Sequence, residues 1–266
     1  MDNNSQLTDK YLTHKVFKEI EYLEKFYDDL SFGCFSFVPL GTMSITNYAS
    51  YIYSAIQNTL ASIKVILING AINDAYVLVR KLFDDVLVEI YINVLRLDKN
   101  DFKGGNLTVK EVDEWLTGKY RIPTLKKLLK KLETLPSTKD LYPFFEWETD
   151  LKKCRDILDD SVHSNRFSRM LLNCKSLYIE NRENYLDSIY RILNHIFTIH
   201  LSFTFYINGH YFMSSDYVDH LELGLTPPKD SQKWIAHYAQ EAFDKFIKPK
   251  KELSAFIKEH CGLNIQ

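Results

Sequence analysis

The residues best suited to chemistry in this sequence lie between Cys154 and Phe167, in the segment CRDILDDSVHSNRF. If the segment is helical, Arg155, Asp159 and His163 are spaced four residues apart, so each step turns by only about 40° and all three share one side. A guanidinium can stabilise the charge that develops in phosphodiester cleavage, and an imidazole near its free pKa can move the proton. The spacing therefore predicts a candidate phosphodiester-cleaving pair, and a surface ladder of ion pairs is the other interpretation of the same pattern.

Other catalytic and cofactor motifs are absent from the sequence. No GxGxxG or GxxxxGK[ST] loop is present, nor are HExxH or GxSxG. His195 and His200 are five residues apart, about 140° around a helix, which places them on different faces and favours core or interface positions. No cofactor and no metal are therefore expected. CxxC pairs are also absent among the four cysteines, which are Cys34, Cys154, Cys174 and Cys261.

The elements that must position the segment are predicted to be helices. Nine glycines and seven prolines make up about 6% of the 266 residues, where average usage gives roughly 12%. With 45% hydrophobic and 14% aromatic residues, the chain has ample material for a core. The fold class that this predicts is all-α, with long helices in the stretches that contain neither glycine nor proline: 1–32, 42–69, 71–103, 144–208 and 229–248.

Apolar spacing gives approximate bounds to these helices. Asn69-Gly70 is predicted to be a tight turn between two antiparallel helices, and the helix over 72–97, apolar nearly all round, is predicted to be central. Arg80 with Asp84 or Asp85 on that helix is interpreted as a site-supporting or register-fixing ion pair. Further helices are expected over about 146–163, from about 183 into the 210s, over about 231–247, and in a short last segment after Pro249.

Two short helices are expected in the polar stretch that begins at Gly104-Gly105. Thr108 and Glu111 have capping-box spacing, so one helix should start there and end near Gly118. A second should start at Pro123, where lysines alternate with leucines. A solvated lysine face is the first interpretation of that pattern and an RNA-facing patch is the second. The lysines are Lys126, Lys127, Lys130 and Lys131.

Charge and hydropathy predict a cytoplasmic protein that does not associate with membranes. The 33 basic and 35 acidic residues give a formal net charge of −2, which argues against a protein that binds nucleic acid through a general excess of positive charge. The N-terminus is polar and mixed in charge, unlike a secretory signal. The apolar stretch 192–213 contains polar groups that a bilayer span tolerates poorly, so we predict a buried helix there.

Two segments together carry a resemblance to a known family. LINGAINDAYVLVRKLFDDVLVEIYINVLRL, residues 67–97, is followed after an insert by LDDSVHSN, residues 158–165. The arrangement resembles bacterial HEPN-like helical proteins of abortive-infection type, in which an arginine followed by acidic residues precedes a helix ending in a histidine motif. The resemblance covers roughly residues 45–210.

The resemblance implies an antiparallel helical bundle formed by a single domain over 1–266. Its core would be 45–97 and 144–213, with a helical insert at 98–143 and a C-terminal helical extension at 214–266. It also implies a metal-independent endoribonuclease that acts as a toxin or anti-phage effector, with RNA as substrate and a homodimer as the working form. Arg155 would stabilise the phosphate, His163 would be the acid or base, and Asp159 or Asp160 would orient one of them. The candidate substrate-binding residues are Asn165 and Arg166.

A departure from the family pattern keeps a second function open. Members usually have four to six residues between Arg and His and an Asn after the Arg, whereas seven residues intervene here and Asp156 follows Arg155. The alternative is a catalytically inactive helical module that binds a partner protein or a nucleotide in a defence complex. A helical enzyme or scaffold unrelated to this family is the third class.

Overall fold

The computed structural model describes residues 6–35, 47–99 and 109–266 of the chain. Within these ranges the fold is all-α, as the scarcity of glycine and proline predicts, and the only extended pairing is an isolated bridge between Met213 and Ile235. The first six helices are α1 (Asp9–Leu12), α2 (Lys15–Gly33), α3 (Tyr48–Ile68), α4 (Ile72–Lys99), α5 (Lys110–Leu116) and α6 (Leu125–Thr134). The other six are α7 (Lys152–Val162), α8 (Phe167–Leu171), α9 (Glu183–Asn208), α10 (Asp216–Glu222), α11 (His237–Ala242) and α12 (Lys251–His260).

The chain divides into two compact units, and four of the five boundaries between them fall inside the four longest helices, α2, α3, α4 and α9. Unit 1 comprises 1–28, 53–87 and 146–197, and unit 2 comprises 29–52, 88–145 and 198–266. The described part of the insert expected at 98–143 belongs to unit 2, and the segment with Arg155 and His163 belongs to unit 1.

Apolar spacing along α2 correctly predicts its buried face. Six apolar residues along the helix lie at 8% exposure or less, whereas Lys18, Glu21 and Lys25 on another face are exposed. Burial of this stripe removes apolar surface from water, which is the main force holding the helix in place. The six buried residues are Val16, Phe17, Ile20, Leu23, Tyr27 and Leu30.

The turn predicted at Asn69-Gly70 is confirmed, because α3 ends at Ile68 and α4 begins at Ile72. Gly70 has a φ of +79°, a conformation that a residue with a Cβ rarely adopts. The central position predicted for α4 is also confirmed, since every residue from Glu89 to Leu95 is buried.

Unit 1 has an aromatic core. Phe26 and Phe197 lie edge to face, with ring centroids 4.8 Å apart, and Tyr27 contacts the same Phe197 ring at 5.8 Å. Edge-to-face contacts of this kind add to the free energy gained from apolar burial.

The interior of unit 2 combines apolar packing with a buried polar contact. Phe205 packs against Phe212 and Phe243, while His200 Nε2 lies 3.0 Å from Glu89 Oε2 among buried residues. The buried helix predicted over 192–213 is confirmed as far as Asn208, where α9 ends and a 3₁₀ turn, Gly209–Phe212, follows. His200 has a buried polar partner in Glu89. Gly209, the first residue after α9, leaves no room for a side chain, because a Cβ would meet the Cys261 carbonyl oxygen at 2.5 Å.

The sequence-based bounds of two helices need correction. The helix expected over 146–163 starts as a π-helical turn, Trp147–Leu151, before α7. The helix expected over 231–247 is interrupted: a 3₁₀ turn over Ser231–Lys233 is followed by extended backbone, because Ile235 pairs with Met213. Helical structure resumes at α11 and continues as a π-helical turn, Phe243–Ile247.

The polar stretch after α4 is described only in part. Gly104, Gly105 and Thr108, and with them the predicted capping box, lie outside the described residues. The helix expected to end near Gly118 is α5, and the helix expected after Pro123 is α6. Leu128 and Leu132 are buried and the four lysines of α6 are exposed, so the face predicted to be solvated is confirmed.

One described helix, α3, has the length and apolar composition of a candidate membrane span.

Candidate functional site

Helix α7 contains Arg155, Asp159 and Asp160, and its C-terminal end has a defined backbone geometry. Leu158 and Ser161 are buried on its inner side. His163 is the C-cap residue and Ser164 follows with a φ of +50°. The Ser164 N–H donates to the Ser161 carbonyl at 3.4 Å and the Asn165 N–H to the Asp160 carbonyl at 3.2 Å. This pair of bonds is a Schellman motif, which fixes the direction of the chain where it leaves the helix.

Asp159 connects α7 to α4 through Arg80, and it also pairs with Arg155 of its own helix. Its Oδ1 accepts a hydrogen bond from Arg80 Nε at 2.7 Å, and its Oδ2 lies 3.2 Å from Arg155 Nε. The two helices come from parts of the chain 79 residues apart. A carboxylate shared by two guanidinium groups holds both of them in a fixed position.

Arg80 is the most buried cation of this cluster, with its side chain 12% exposed. It also pairs with Asp84, one helical turn further along α4. Burial by itself would lower the pKa of Arg80, but hydrogen bonds to Asp84 and Asp159 and their negative charges raise it above its ordinary value. Asp85 pairs instead with Lys81, so of the two acids considered as partners of Arg80 the structure selects Asp84.

Arg155 is more exposed than Arg80 and has fewer partners. Its side chain is 34% exposed and its ion pair with Asp159 uses Nε. Within the described ranges no hydrogen bond or ion pair engages its two terminal amino groups. Those groups are the ones that bind a phosphate in a bidentate manner.

Asp160, Asn165 and Arg166 form a second small cluster beside the helix end. Asp160 Oδ2 lies 3.2 Å from Arg166 Nε, and the Asn165 amide donates to Asp160 Oδ1 at 3.4 Å. Arg166 is 70% exposed, so most of its guanidinium faces solvent. The two residues predicted to bind substrate are thus held together by one of the two acids predicted to support the site.

His163 is exposed at the end of α7. No hydrogen bond or ion pair joins its imidazole to another residue in the part of the chain that the structure describes. It lies eight positions after Arg155, which corresponds to about 12 Å along a helix axis. Arg155 lies on α7 and His163 caps its end, so the two side chains of one copy start from opposite parts of this helix.

Three polar features of the structure had no signal in the sequence. Arg169 lies over the rings of Tyr76 at 5.0 Å and Tyr185 at 5.8 Å. The Glu89–His200 contact joins residues 111 positions apart. Arg182 is buried beside a cavity in unit 1. Each depends on residues distant in sequence, and no local spacing indicates any of them.

Within the described ranges, no group of three or more His, Cys, Asp or Glu side chains is placed to hold a metal ion. The four cysteines are free. Comparisons of the chain with protein-family models, curated proteins and solved structures give no match.

Proposed function

We propose that this protein is a HEPN-like, metal-independent endoribonuclease that acts as a toxin or anti-phage effector in the cytoplasm. The observation that carries the proposal is the exposed, unengaged imidazole of His163 at a fixed helix end, on the same helix as an arginine whose terminal amino groups are free. A general base needs an accessible nitrogen, and a phosphate-stabilising cation needs accessible donors.

The separation of Arg155 and His163 leads us to propose a working unit of two copies. If two α7 helices pair antiparallel about a two-fold axis centred at Asp159, residue 155 of one copy lies opposite residue 163 of the other. Each of the two equivalent sites then combines one arginine and one histidine. The exposed apolar side chains of Val162, Phe167 and Met170 near the helix end would gain burial in such a pair.

The reaction that such a site supports is transesterification within RNA. His163 takes the proton of a ribose 2′-hydroxyl, and the 2′-oxygen attacks the adjacent phosphorus. Arg155 stabilises the charge on the phosphate oxygens. The bond from phosphorus to the 5′-oxygen breaks, the leaving oxygen takes a proton from water, and the imidazolium returns its proton to the solvent. The products are a cyclic phosphate end and a 5′-hydroxyl end.

The first test compares His163→Ala with the unmodified chain in growing cells. We expect the unmodified protein to slow growth and cleave RNA, and His163→Ala to lose both effects by a factor on the order of 10² or more, the usual contribution of a proton-transfer group. The matched control is His237→Ala, because His237 is exposed at 86% and forms only a surface ion pair. Equal RNA cleavage by the two variants, or intact RNA in all cases, contradicts the catalytic assignment.

The second test asks whether the two copies share a site. Arg155→Met and His163→Ala should each be inactive alone. In a mixed dimer one site contains both substitutions and the other contains neither, so mixing the two inactive proteins should restore activity. If half of the dimers are mixed and each has one working site, we expect roughly a quarter of the original activity, from the statistics of a two-fold symmetric pair. A mixture that stays inactive argues against a shared site.

A second candidate function is favoured by the charge balance of the cluster. Arg80, Arg155 and Arg166 are each paired with a carboxylate, from Asp159 and Asp84 or from Asp160. A site already neutralised in this way offers little net positive charge to phosphate, which suits a catalytically inactive helical module that binds a partner protein in a defence complex. The RNA measurement separates the two functions, because this module leaves RNA intact.

A further inference from the structure

A cavity of about 290 Å³ lies in unit 1, at the N-terminal end of α9. The residues around it that matter for binding are Thr8, Tyr11, Tyr178, Glu180, Arg182 and Glu183. This volume is at the small end of ligand sites, which suits a compact metabolite. None of these residues has a role in the function proposed above.

Arg182 is a buried cation without a counter-ion. It is 4% exposed, and its Nη2 donates to the carbonyl oxygens of Cys174 at 3.1 Å and Leu177 at 2.7 Å. Its Nη1 is buried and has no hydrogen-bond partner, and no described carboxylate forms an ion pair with it. A guanidinium stays charged in proteins, so leaving it buried and unpaired costs free energy. An anionic group bound at this cavity would remove that cost.

Two carboxylates border the same cavity. Glu183 accepts a hydrogen bond from the Thr8 hydroxyl at 3.0 Å, and Glu180 is exposed. A hydrogen bond from its own backbone N–H lowers the pKa of Glu183, and the Thr8 hydroxyl lowers it further, so this carboxyl is ionised at neutral pH. A dianionic phosphate at Arg182 would meet these two negative charges. A molecule that carries both a carboxylate and an ammonium group would pair its carboxylate with Arg182 and its ammonium group with the two glutamates.

We propose that this cavity binds a free amino acid or a similarly small zwitterion, with its carboxylate at Arg182 and its ammonium group at Glu183 and Glu180. The ring of Tyr11 lies at the cavity, and Tyr178, which is 80% exposed, can cover the side chain of the ligand. The assignment is independent of RNA cleavage and holds whether or not His163 is catalytic.

Calorimetric titration of the full chain with the twenty standard amino acids tests the proposal, with inorganic phosphate and AMP as separate arms. We expect one or more amino acids to bind. The methyl ester of the best ligand lacks the carboxylate, and its N-acetyl form lacks the ammonium group. Each should bind at least about tenfold more weakly, which corresponds to about 1.4 kcal/mol of binding free energy. Arg182→Met and Glu183→Gln should have effects of the same size, and Glu222→Gln, a substitution at an exposed site in unit 2, should have none.

Arg182 also ties the segment that contains Cys174 and Leu177, so circular dichroism must show that Arg182→Met is folded. Glu183→Gln keeps an acceptor for Thr8, and the two modified ligands need no variant at all, so the test does not depend on Arg182→Met. The proposal is overturned if no amino acid binds, if phosphate or AMP binds in preference, or if the ester and the N-acetyl form bind as well as the parent.

Discussion

At the scale of single residues, Asp159 is the side chain on which the candidate site depends. It is one helical turn from His163 and is the only described acid that contacts both Arg80 and Arg155. It therefore fixes α7 to α4 and at the same time orients the arginine proposed to bind phosphate. Asp160 has a comparable position toward Arg166 and Asn165, but its partners are exposed and close in sequence.

Asp159→Asn keeps the shape of this side chain and removes its charge. Because Arg80 is only 12% exposed, we expect the variant to lose about 2 kcal/mol of unfolding free energy, as is usual for a hydrogen bond to a charged group. Urea unfolding measures the change. Asp156→Asn on the same helix is the matched control, since Asp156 is exposed and should change stability by less than about 0.5 kcal/mol. Equal stability of the two variants would show that the ion pairs of Asp159 do not hold the helices together.

At the scale of elements, the end of α7 decides where His163 lies. The Schellman motif requires a left-handed residue after the C-cap, a position that favours glycine and that this chain fills with Ser164. The sequence shows no glycine there, so the sharp end of the helix is not apparent from breaker residues. Because the helix ends sharply, the exposed loop of Asn165 and Arg166 returns toward Asp160.

Ser164→Gly should raise the unfolding free energy by about 1 kcal/mol, because a serine pays a steric cost at a φ of +50° that glycine does not. Ser168→Gly is the control, and we expect it to lower the unfolding free energy. Ser168 is exposed within α8, and glycine inside a helix costs about 0.5–1 kcal/mol relative to alanine. Thermal or urea unfolding compares the two. A destabilised Ser164→Gly variant would contradict the backbone geometry described for the end of α7.

At the scale of the whole molecule, the interior contains many tyrosine hydroxyls. The Tyr11 hydroxyl donates to the Leu67 carbonyl at 2.8 Å, that of Tyr48 to Asn93 Oδ1 at 2.6 Å, and that of Tyr76 to the Tyr185 carbonyl at 3.0 Å. Burial raises the pKa of each of these tyrosines, and it raises the pKa of Tyr211 to about 12. The folded state therefore depends on these groups being neutral.

Stability should fall as the pH rises above about 10, the ordinary pKa of tyrosine. Above that value the unfolded chain loses tyrosine protons that the folded chain retains, so the unfolded state binds fewer protons and is favoured. Ultraviolet absorbance should show exposed tyrosines titrating first and the buried ones, including Tyr11 and Tyr48, titrating together with unfolding. Gradual titration of all seventeen tyrosines near pH 10 without unfolding would contradict the prediction.

At low pH the dependence is reversed, and stability should fall as the pH falls. Hydrogen bonding to Lys15 lowers the pKa of Asp187, and a backbone hydrogen bond lowers that of Glu183. The unfolded chain takes up protons at these groups first, near their ordinary values of 3.8 and 4.5. Their contribution is therefore present above these values and is lost as the pH falls through the lower, folded-state pKa values.

The helical fold and much of the core follow from patterns within short segments of the sequence. Scarcity of glycine and proline leaves long uninterrupted stretches, and apolar spacing along a helix such as α2 indicates which side is buried, because both signals act within a few turns of one chain segment. Local spacing also placed Arg155, Asp159 and His163 on one helix. The interruption before α11 was missed because Ile235 pairs with Met213, a contact that no local pattern contains.

Which charges are neutralised and which remain available depends on the packing of the helices in the folded protein. This packing gave Asp159 to both Arg80 and Arg155, left the imidazole of His163 unengaged, buried Glu89 against His200, and enclosed Arg182 beside a cavity without a counter-ion. The contacts of Asp159 with Arg80 and of Glu89 with His200 join residues 79 and 111 positions apart. Their energies depend on how helices pack and how much water they exclude, and a pattern read along a single helix contains neither quantity.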